Sequence, residues 1–206
     1  FKIDGNKAEV ANKTEADKIL KGLEGANPVL ENIVKKERKR NPSAPFITST
    51  LQQEASRKLN FSPKKTMMLA QRLYEGISLG KKGTVGLITY MRTDSVRLSD
   101  QALEEVRKFI PGRYGKEFVP SKPNTYKSKK SAQDAHEAIR PTDVRLEPDT
   151  IKEYLEKDLF RLYQLIWSRF VSCQMVPAVL DTTQFDIQTG NYLFRSNGSV
   201  LKFAGF

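Results

Sequence analysis

The sequence predicts an α+β protein in which β-rich ends flank a mostly helical centre. At both ends, β-branched and alternating residues between turn signals predict strands. In the centre, apolar residues recur at three- and four-residue steps, which is the period of a helix. We therefore expect a helical domain over residues 49–176, inserted into a β-rich domain that is formed by residues 1–48 and 177–206.

Three elements are predicted before residue 41 from turn, cap and periodicity signals. In chain order they are a hairpin over residues 1–10, a helix over residues 14–23, and a basic, β-branched segment over residues 29–39 that is compatible with a strand. The Pro-containing segment that follows, residues 41–45, is typical of a domain boundary.

Two helices are predicted next, with a short break at Asn60 and Phe61. Thr48, or one of the two residues after it, caps the first helix. Ser62 caps the second, with Pro63 at its first position, where the missing N–H costs no hydrogen bond. This arrangement fits a helix-turn-helix unit. It also fits an ordinary helical hairpin, which the spacing alone favours.

The remaining elements follow from the same signals. They are a strand over residues 84–91, a helix from Ser99 that stops at Pro111-Gly112, a long helix within residues 147–174, and a strand over residues 179–187. Two turn signals, Thr189-Gly190-Asn191 and Asn197-Gly198, predict a β-meander at the end of the sequence.

Composition limits the classes of partner and site. Lys and Arg number 35 against 24 Asp and Glu, and the net charge of +11 favours an anionic partner such as nucleic acid or a membrane surface. One Cys and one His are too few for a structural zinc site, and a single Cys cannot form an intrachain disulfide. No apolar run reaches the roughly 18 residues that a membrane helix needs, so no membrane-spanning helix is expected. Of the two kinds of anionic partner, we expect nucleic acid and no membrane.

The segment from Gly86 to Ser95 places a phenol and a guanidinium two residues apart. On a strand, Ile88, Tyr90 and Arg92 would share one face. A free phenol has a pKa near 10, so it must be activated before it can attack phosphorus. An arginine can hold phosphodiester oxygens and stabilise the charge that gathers there. The spacing by itself favours a packed strand tyrosine beside a surface arginine.

A second cluster, residues 131–142, contains the only His of the sequence. Ser131 and Asp134 resemble a capping box. His136 and Arg140 are four residues apart, so they share a face on either a helix or a strand and could meet at one phosphate. By itself the pattern favours a hydrogen-bonded, partly buried histidine.

Four segments, in this order along the chain, resemble the type IA DNA topoisomerases. Residues 87–95 (LITYMRTDS) are similar to the active-site segment of that family, and residues 135–142 (AHEAIRPT) to its second signature. Residues 45–55 and 64–74 are similar to the helical lead-in, so the resemblance covers essentially the whole chain. Met91, where decatenating relatives more often carry Pro, favours the bacterial DNA-relaxing branch.

The resemblance implies a mechanism. Tyr90 attacks a phosphodiester of single-stranded DNA and forms a 5′-phosphotyrosine link, and the free 3′-hydroxyl later reverses the reaction without ATP. Arg92 is implied to orient the phosphate and stabilise the transition state, and His136 to hydrogen-bond the DNA or Asp94. The supporting and DNA-binding residues implied by the same signatures are Thr93, Asp94, Ser95, Glu137, Arg140 and Thr142.

The resemblance also implies the surroundings of this site. Residues 49–176 would be a winged-helix-like catalytic domain, and residues 1–48 and 177–206 would be parts of a β-rich arch. The family binds Mg²⁺ in an acidic domain that precedes the tyrosine, so we expect the ligands outside this chain. The expected partners are single-stranded and negatively supercoiled DNA, and the expected state is a monomer in the bacterial cytoplasm, associated with the nucleoid.

One other function remains open on the residues alone, and the single His argues against a second. A non-enzymatic DNA-binding module would use the possible helix-turn-helix unit and the basic charge, and a covalent adduct at Tyr90 would exclude it. A metal-dependent relaxase nuclease also uses tyrosine, but it normally needs two His ligands, and this sequence has one His.

Overall fold

The computed structural model describes residues 1–3, 5–127 and 136–206. The chain divides into two compact units: a sheet unit of residues 1–40 and 178–204, and a helical unit of residues 41–177 with residues 205–206. The first boundary lies earlier than the position 48/49 expected from the sequence. The reason is that the segment before the first long helix packs into the helical unit, where Phe46 is fully buried.

The sheet unit contains one helix and one antiparallel sheet. The strand order is β2-β1-β7-β6-β3, and α1 lies outside the sheet. The bounds are β1 (Lys2–Ile3), β2 (Asn6–Lys7), α1 (Lys13–Leu23), β3 (Val29–Arg40), β6 (Ala178–Thr189) and β7 (Tyr192–Phe203).

The hairpin between β6 and β7 confirms one predicted turn and contradicts the other. Thr189 pairs with Tyr192 across the tight turn, where Gly190 adopts a φ of +56° that favours glycine. Asn197 and Gly198 do not turn. They pair with Gln184 and Thr183 in the middle of the ladder, so β7 continues without a break and the predicted meander is a single hairpin.

The described residues of the helical unit form four helices and a small hairpin. Their bounds are α2 (Thr48–Leu59), α3 (Pro63–Glu75), β4 (Ile77–Ser78), β5 (Thr84–Val85), α4 (Asp100–Arg113) and α5 (Lys157–Cys173). Short 3₁₀ turns cover Gly80–Lys82, Lys116–Phe118, Pro148–Thr150 and Lys152–Tyr154. Among the described helices, none is long and apolar enough to cross a membrane.

The starts of α3 and α4 follow the predicted caps, whereas the cap position of α2 is Ile47 rather than Thr48 or one of the two residues after it, and the stop of α4 also differs from the prediction. The Ser62 hydroxyl accepts the N–H of Lys65, and Ser99 caps α4 in the same way. Pro111 lies inside α4 rather than after it, and the helix ends at Arg113. A proline close to the C-terminal end of a helix removes only one donor, so the last turn can still close, with the N–H of Tyr114 bonded to Ile110.

The core of the helical unit is built around α5. Apolar side chains along one face of this helix are buried, and two of its polar tips reach the segment after residue 142. The Tyr163 hydroxyl donates to the carbonyl of Leu146 at 2.7 Å, and the Trp167 indole N–H donates to Val144 at 2.9 Å. These two bonds fix the segment that follows the second signature against the longest of the described helices.

The predicted strand over residues 84–91 is mostly irregular. Only Thr84 and Val85 are in a strand, and Ile88 forms a single bridge to Pro141. As a result, side chains do not alternate strictly. Ile88 and Met91 are both buried, while Tyr90 and Arg92 are exposed. Tyr90 and Arg92 therefore share the surface, but Ile88 does not join them as the strand pattern predicted.

Candidate active site

Three segments lie side by side beneath the candidate nucleophile. The Ile139 N–H donates to the carbonyl of Phe46 at 2.8 Å on one side of the second signature. On the other side, the Thr89 N–H donates to the Arg140 carbonyl at 2.9 Å. Backbone pairing thus brings residues that are 51 and 93 positions apart in the sequence into one short, irregular sheet-like layer.

Two threonine hydroxyls hold this layer together. Thr89 Oγ1 donates to the Ala138 carbonyl at 2.7 Å and accepts the N–H of Arg140 at 3.0 Å. Thr48 Oγ1, at the start of α2, lies 2.8 Å from the Met91 carbonyl oxygen and accepts the N–H of Thr93 at 2.9 Å. Tyr90 therefore lies in a segment that is tied to its neighbours immediately before and after it.

The Tyr90 ring lies between two other rings. It meets Tyr74, near the end of α3, in an edge-to-face contact with 5.4 Å between centroids, and His136 with 5.9 Å between centroids. The Tyr90 side chain remains 39% exposed. These contacts restrict the ring while leaving it accessible, which is the arrangement that a phenol nucleophile needs.

Gly86 permits the close approach behind this ring pair. A Cβ at Gly86 would lie 2.7 Å from the backbone oxygen of Tyr74, which is closer than real side chains tolerate. The end of α3 can therefore lie directly against the active-site segment. The Leu87 N–H completes the contact by donating to the Leu73 carbonyl at 2.7 Å.

An open groove of about 560 Å³ lies beside the signature residues. It is lined by Ile47, Thr48, Ser49, Gln52, Arg92, Thr93, Asp94 and His136. Within the described part of the chain, Arg92 has no ion-pair partner, so its guanidinium is available to an anion. Asp94 is exposed on the same groove. The groove thus combines a cation, a carboxylate and an imidazole. Tyr90 does not line the groove, but its ring contacts that of His136, which does.

Glu137 and Arg140 form an ion pair with each other. Arg140 Nε donates to Glu137 at 2.7 Å, and the guanidinium also donates to the Pro141 carbonyl at 3.0 Å. Burial raises the pKa of the Glu137 carboxyl. Hydrogen bonds from Arg140 and Ser99, with the charge of Arg140, lower that pKa by more. This geometry gives the pair a structural role at the N-terminus of α4. His136 lines the groove and Arg140 does not.

Three further signature residues are engaged in local hydrogen bonds. Thr93 is nearly buried, and its hydroxyl accepts the N–H of Ser95 at 3.1 Å. Ser95 is buried and accepts the N–H of Arg97. Thr142 donates to the Gly86 carbonyl at 2.7 Å. These contacts stabilise the loops around Tyr90. The predicted capping residues Ser131 and Asp134 lie outside the described residues.

The described residues do not form a magnesium site. Throughout residues 1–3, 5–127 and 136–206, no group of three or more His, Cys, Asp or Glu side chains could hold a metal ion. At the groove the carboxylate of Asp94 is available, whereas that of Glu137 is paired with Arg140. Mg²⁺ requires near-octahedral oxygen coordination, which this donor set does not supply.

Sequence reasoning did not assign a role to Tyr74, or to the hydroxyls of Thr48 and Thr89. Thr48 was recognised as a possible helix cap, but its hydroxyl bonds across to the active-site segment instead. All three contacts join residues that are distant in sequence, and no local pattern encodes them. Their presence inside the family-like segments was the available signal.

Comparison with known proteins identifies the class to which this fold and site belong. The family model described as DNA topoisomerase matches residues 2–206. The chain belongs to this family, in the bacterial type IA branch that its signature segments resemble. It is 51% identical over 203 residues to DNA topoisomerase 1 of Rickettsia bellii (strain RML369-C).

A solved structure supports the same family assignment. The full-length topoisomerase I of Thermotoga maritima superposes with a TM-score of 0.81 and 40% sequence identity, over 98% of this chain and 32% of the other. The match to the Rickettsia relative covers 97% of this chain and 25% of that protein. The chain thus spans about a quarter of the length of this curated relative.

Proposed function

We propose that this chain is the tyrosine-bearing portion of an enzyme that cuts and rejoins one strand of DNA, with Tyr90 as the nucleophile. The observation that carries the proposal is the accessible Tyr90 phenol, which lies between Tyr74 and His136. His136 also lines the groove that contains Arg92, which has no ion-pair partner among the described residues. Membership of the DNA topoisomerase family supports DNA as the substrate.

The reaction conserves the number of phosphodiester bonds. The Tyr90 hydroxyl oxygen attacks phosphorus and loses its proton, while the bond from phosphorus to the 3′-oxygen breaks and that oxygen gains a proton. The products are a 5′-phosphotyrosine link and a free 3′-hydroxyl. Religation is the reverse step, so no ATP is consumed.

The groove residues have separate roles in this proposal. Arg92 binds the non-bridging phosphate oxygens and stabilises the charge that develops on them. His136, whose ring packs against Tyr90, hydrogen-bonds the bound strand or Asp94. Glu137, Arg140, Thr93, Ser95 and Thr142 are positioning residues, because their polar atoms are bonded within the loops that carry Tyr90.

In the full-length enzyme, single-stranded and negatively supercoiled DNA are the proposed substrates and relaxation is the outcome. The helical unit acts as a winged-helix-like catalytic domain, with α2 and α3 as its helix-turn-helix pair, and the sheet unit forms part of an arch. Mg²⁺ supplies charge neutralisation at the phosphate when it is bound. Its ligands are expected in another part of the enzyme, because the residues described here do not fit a magnesium site. The proposed setting is a monomer in the bacterial cytoplasm, associated with the nucleoid.

This assignment makes the 206-residue chain inactive on its own. Phosphoryl transfer depends mainly on positioning and on electrostatic stabilisation, and Arg92 and His136 provide only part of the charge environment. Purified chain, incubated with supercoiled plasmid and Mg²⁺, should leave the plasmid supercoiled.

The decisive variant is Tyr90→Phe in the full-length enzyme. Only the nucleophilic oxygen is lost, so covalent trapping of labelled DNA under denaturing conditions should disappear while reversible binding is retained. Tyr154→Phe is the matched control, because Tyr154 is 40% exposed against 39% for Tyr90 and belongs to the same unit. An adduct that persisted in Tyr90→Phe would refute the assignment.

A further inference from the structure

A cluster of cations surrounds one carboxylate on α2, away from the signature segments. Glu54 is almost buried and lies 2.6 Å from Arg57, 2.9 Å from Lys58 and 3.4 Å from Arg169 of α5. We call these four residues the α2 cation cluster. None of them belongs to the segments that the family resemblance assigned to catalysis.

The charges of the α2 cation cluster do not balance. Three cations converge on one carboxylate, which leaves two positive charges in excess. Like charges held this close repel one another unless a further anion is present. The pKa of the Arg169 guanidinium is lowered, mainly because the group is buried. The charge of Glu54 raises this pKa in part, and the charge of Arg57 lowers it again.

Arg169 is also held in a fixed orientation. Its guanidinium lies 4.4 Å above the Phe46 ring and donates to the Ala44 carbonyl at 3.3 Å. A guanidinium has five N–H donors, so these contacts and the one to Glu54 leave donor capacity unused. Packing therefore presents an arginine of fixed position to whatever lies in front of it.

The space in front of the α2 cation cluster is open. A pocket of about 440 Å³ is bounded by the cluster and by Ser43, Thr50 and Gln53. Arg57 and Lys58 are largely exposed, so they can swing toward a ligand without unfolding the helix. Side chains that donate hydrogen bonds thus surround the excess positive charge.

The pocket adjoins the active-site groove around α2. Ser49 and Gln52 line the groove, and Thr50 and Gln53 line the pocket. At about 100° per residue, these positions follow one another around the helix. Arg57 lies about 12 Å along the axis from Ser49. A strand that leaves the groove can therefore follow the exposed side of α2 to the cluster.

We propose that the α2 cation cluster is a second phosphate subsite, which binds a backbone phosphate of the single-stranded DNA a few nucleotides from the one that Tyr90 attacks. The proposal rests on the proposed function for the identity of the ligand. The Glu54–Arg169 pair alone would suffice to join α2 to α5. A phosphate accounts for Arg57 and Lys58, whose charges exceed what Glu54 can neutralise.

The test compares two double variants of the full-length enzyme. Arg57→Ala with Lys58→Ala removes two charges from α2 and leaves the Glu54–Arg169 pair. Lys108→Ala with Arg113→Ala removes the same charge from α4, where both side chains are exposed and paired with Glu104 and Glu147. Binding of a labelled single-stranded oligonucleotide is measured by anisotropy over a range of salt concentrations, and circular dichroism confirms folding.

We expect the α2 double variant to bind roughly tenfold more weakly and to reduce the slope of log K against log salt by about 0.7, which is the contribution of one single-strand phosphate contact. The α4 double variant should change affinity less than about twofold. Equal losses in both, or no loss in either, would overturn the subsite. Covalent trapping of DNA is measured separately with the unmodified enzyme. If no adduct forms at Tyr90 but the α2 double variant alone loses affinity, the cleavage proposal is refuted and the subsite is supported.

Discussion

The two units of this molecule are stabilised in different ways. In the helical unit, Leu162 and Tyr163 are fully buried in a core formed by several helices. In the sheet unit, Val29, Ile33 and Val200 are 47–71% exposed, and the long strands are held mainly by their backbone ladders. The helical unit therefore has the larger packing contribution to stability, and the sheet unit depends on strand pairing.

This difference explains where a catalytic site can be built. A reactive side chain must be held within a fraction of an ångström, which requires supporting residues that are themselves fixed by packing. Tyr90 meets this condition because the residues on either side of it in the chain, Thr89 and Met91, are tied to the second signature and to α2. The ladder of the sheet unit offers no comparable support.

The largest expected effect is a loss of stability in the helical unit, compared with a small loss in the sheet unit. Leu162→Ala should lower the free energy of unfolding of the helical unit by about 2–5 kcal/mol, because it leaves a cavity in a filled core. Ile33→Ala, at a position 47% exposed on an edge strand, should cost less than about 1 kcal/mol. Urea unfolding, with hydrogen exchange to separate the two units, measures both. Equal costs would show that the sheet unit has a core of its own.

A smaller difference between the two units is expected in the pH dependence of their stability. The folded-state pKa of Glu137 is lowered, so its pair with Arg140 contributes stability above its ordinary value of 4.5, and this contribution is lost as the pH falls through the folded pKa. Glu137→Gln should remove about 1 kcal/mol of stability at neutral pH and flatten this acid dependence.

The matched control for Glu137 is Asp186→Asn in the sheet unit. The Asp186–Arg195 pair has good geometry, with 2.7 Å between its closest atoms, and the hydrogen bond from Arg195 likewise lowers the pKa of Asp186. Its partner is half exposed, so water and salt screen the pair and the change should be smaller. Melting temperatures between pH 3 and 7, in steps of about half a unit, distinguish the two. An equal acid response in both would contradict the role given to the burial of Arg140, which is 14% exposed against 48% for Arg195.

Much of the fold was predictable because its signals are local. The caps at Ser62 and Ser99, the periodicity of α5 and the Gly190 turn are each encoded within a few residues. The turn predicted at Asn197 and Gly198 was wrong because the ladder with β6 outweighs a short turn signal. The strand predicted over residues 84–91 was wrong for a related reason, since side-chain and backbone bonds to residues 138–142 replace a regular ladder.

The candidate site was also predictable only in part. Resemblance indicated Tyr90, Arg92 and His136, and the structure places Tyr90 beside His136 and lines one groove with Arg92 and His136. The ion pair of Glu137 with Arg140 and the contact of Tyr74 with Tyr90 depend on how distant segments pack. No alternation or spacing rule reports such packing, so these supporting roles became visible only in three dimensions.

The central claim is that Tyr90, and not a neighbouring phenol, forms the bond to DNA. Tyr74 is the sharpest rival, because it is 41% exposed and its ring centroid lies 5.4 Å from that of Tyr90. The most direct measurement is to trap the full-length enzyme on an oligonucleotide by denaturation, digest it with protease and nuclease, and locate the nucleotide by tandem mass spectrometry. The account predicts a 5′-linked nucleotide on Tyr90 with Tyr74 unmodified; a nucleotide on Tyr74 or on any other residue would contradict it.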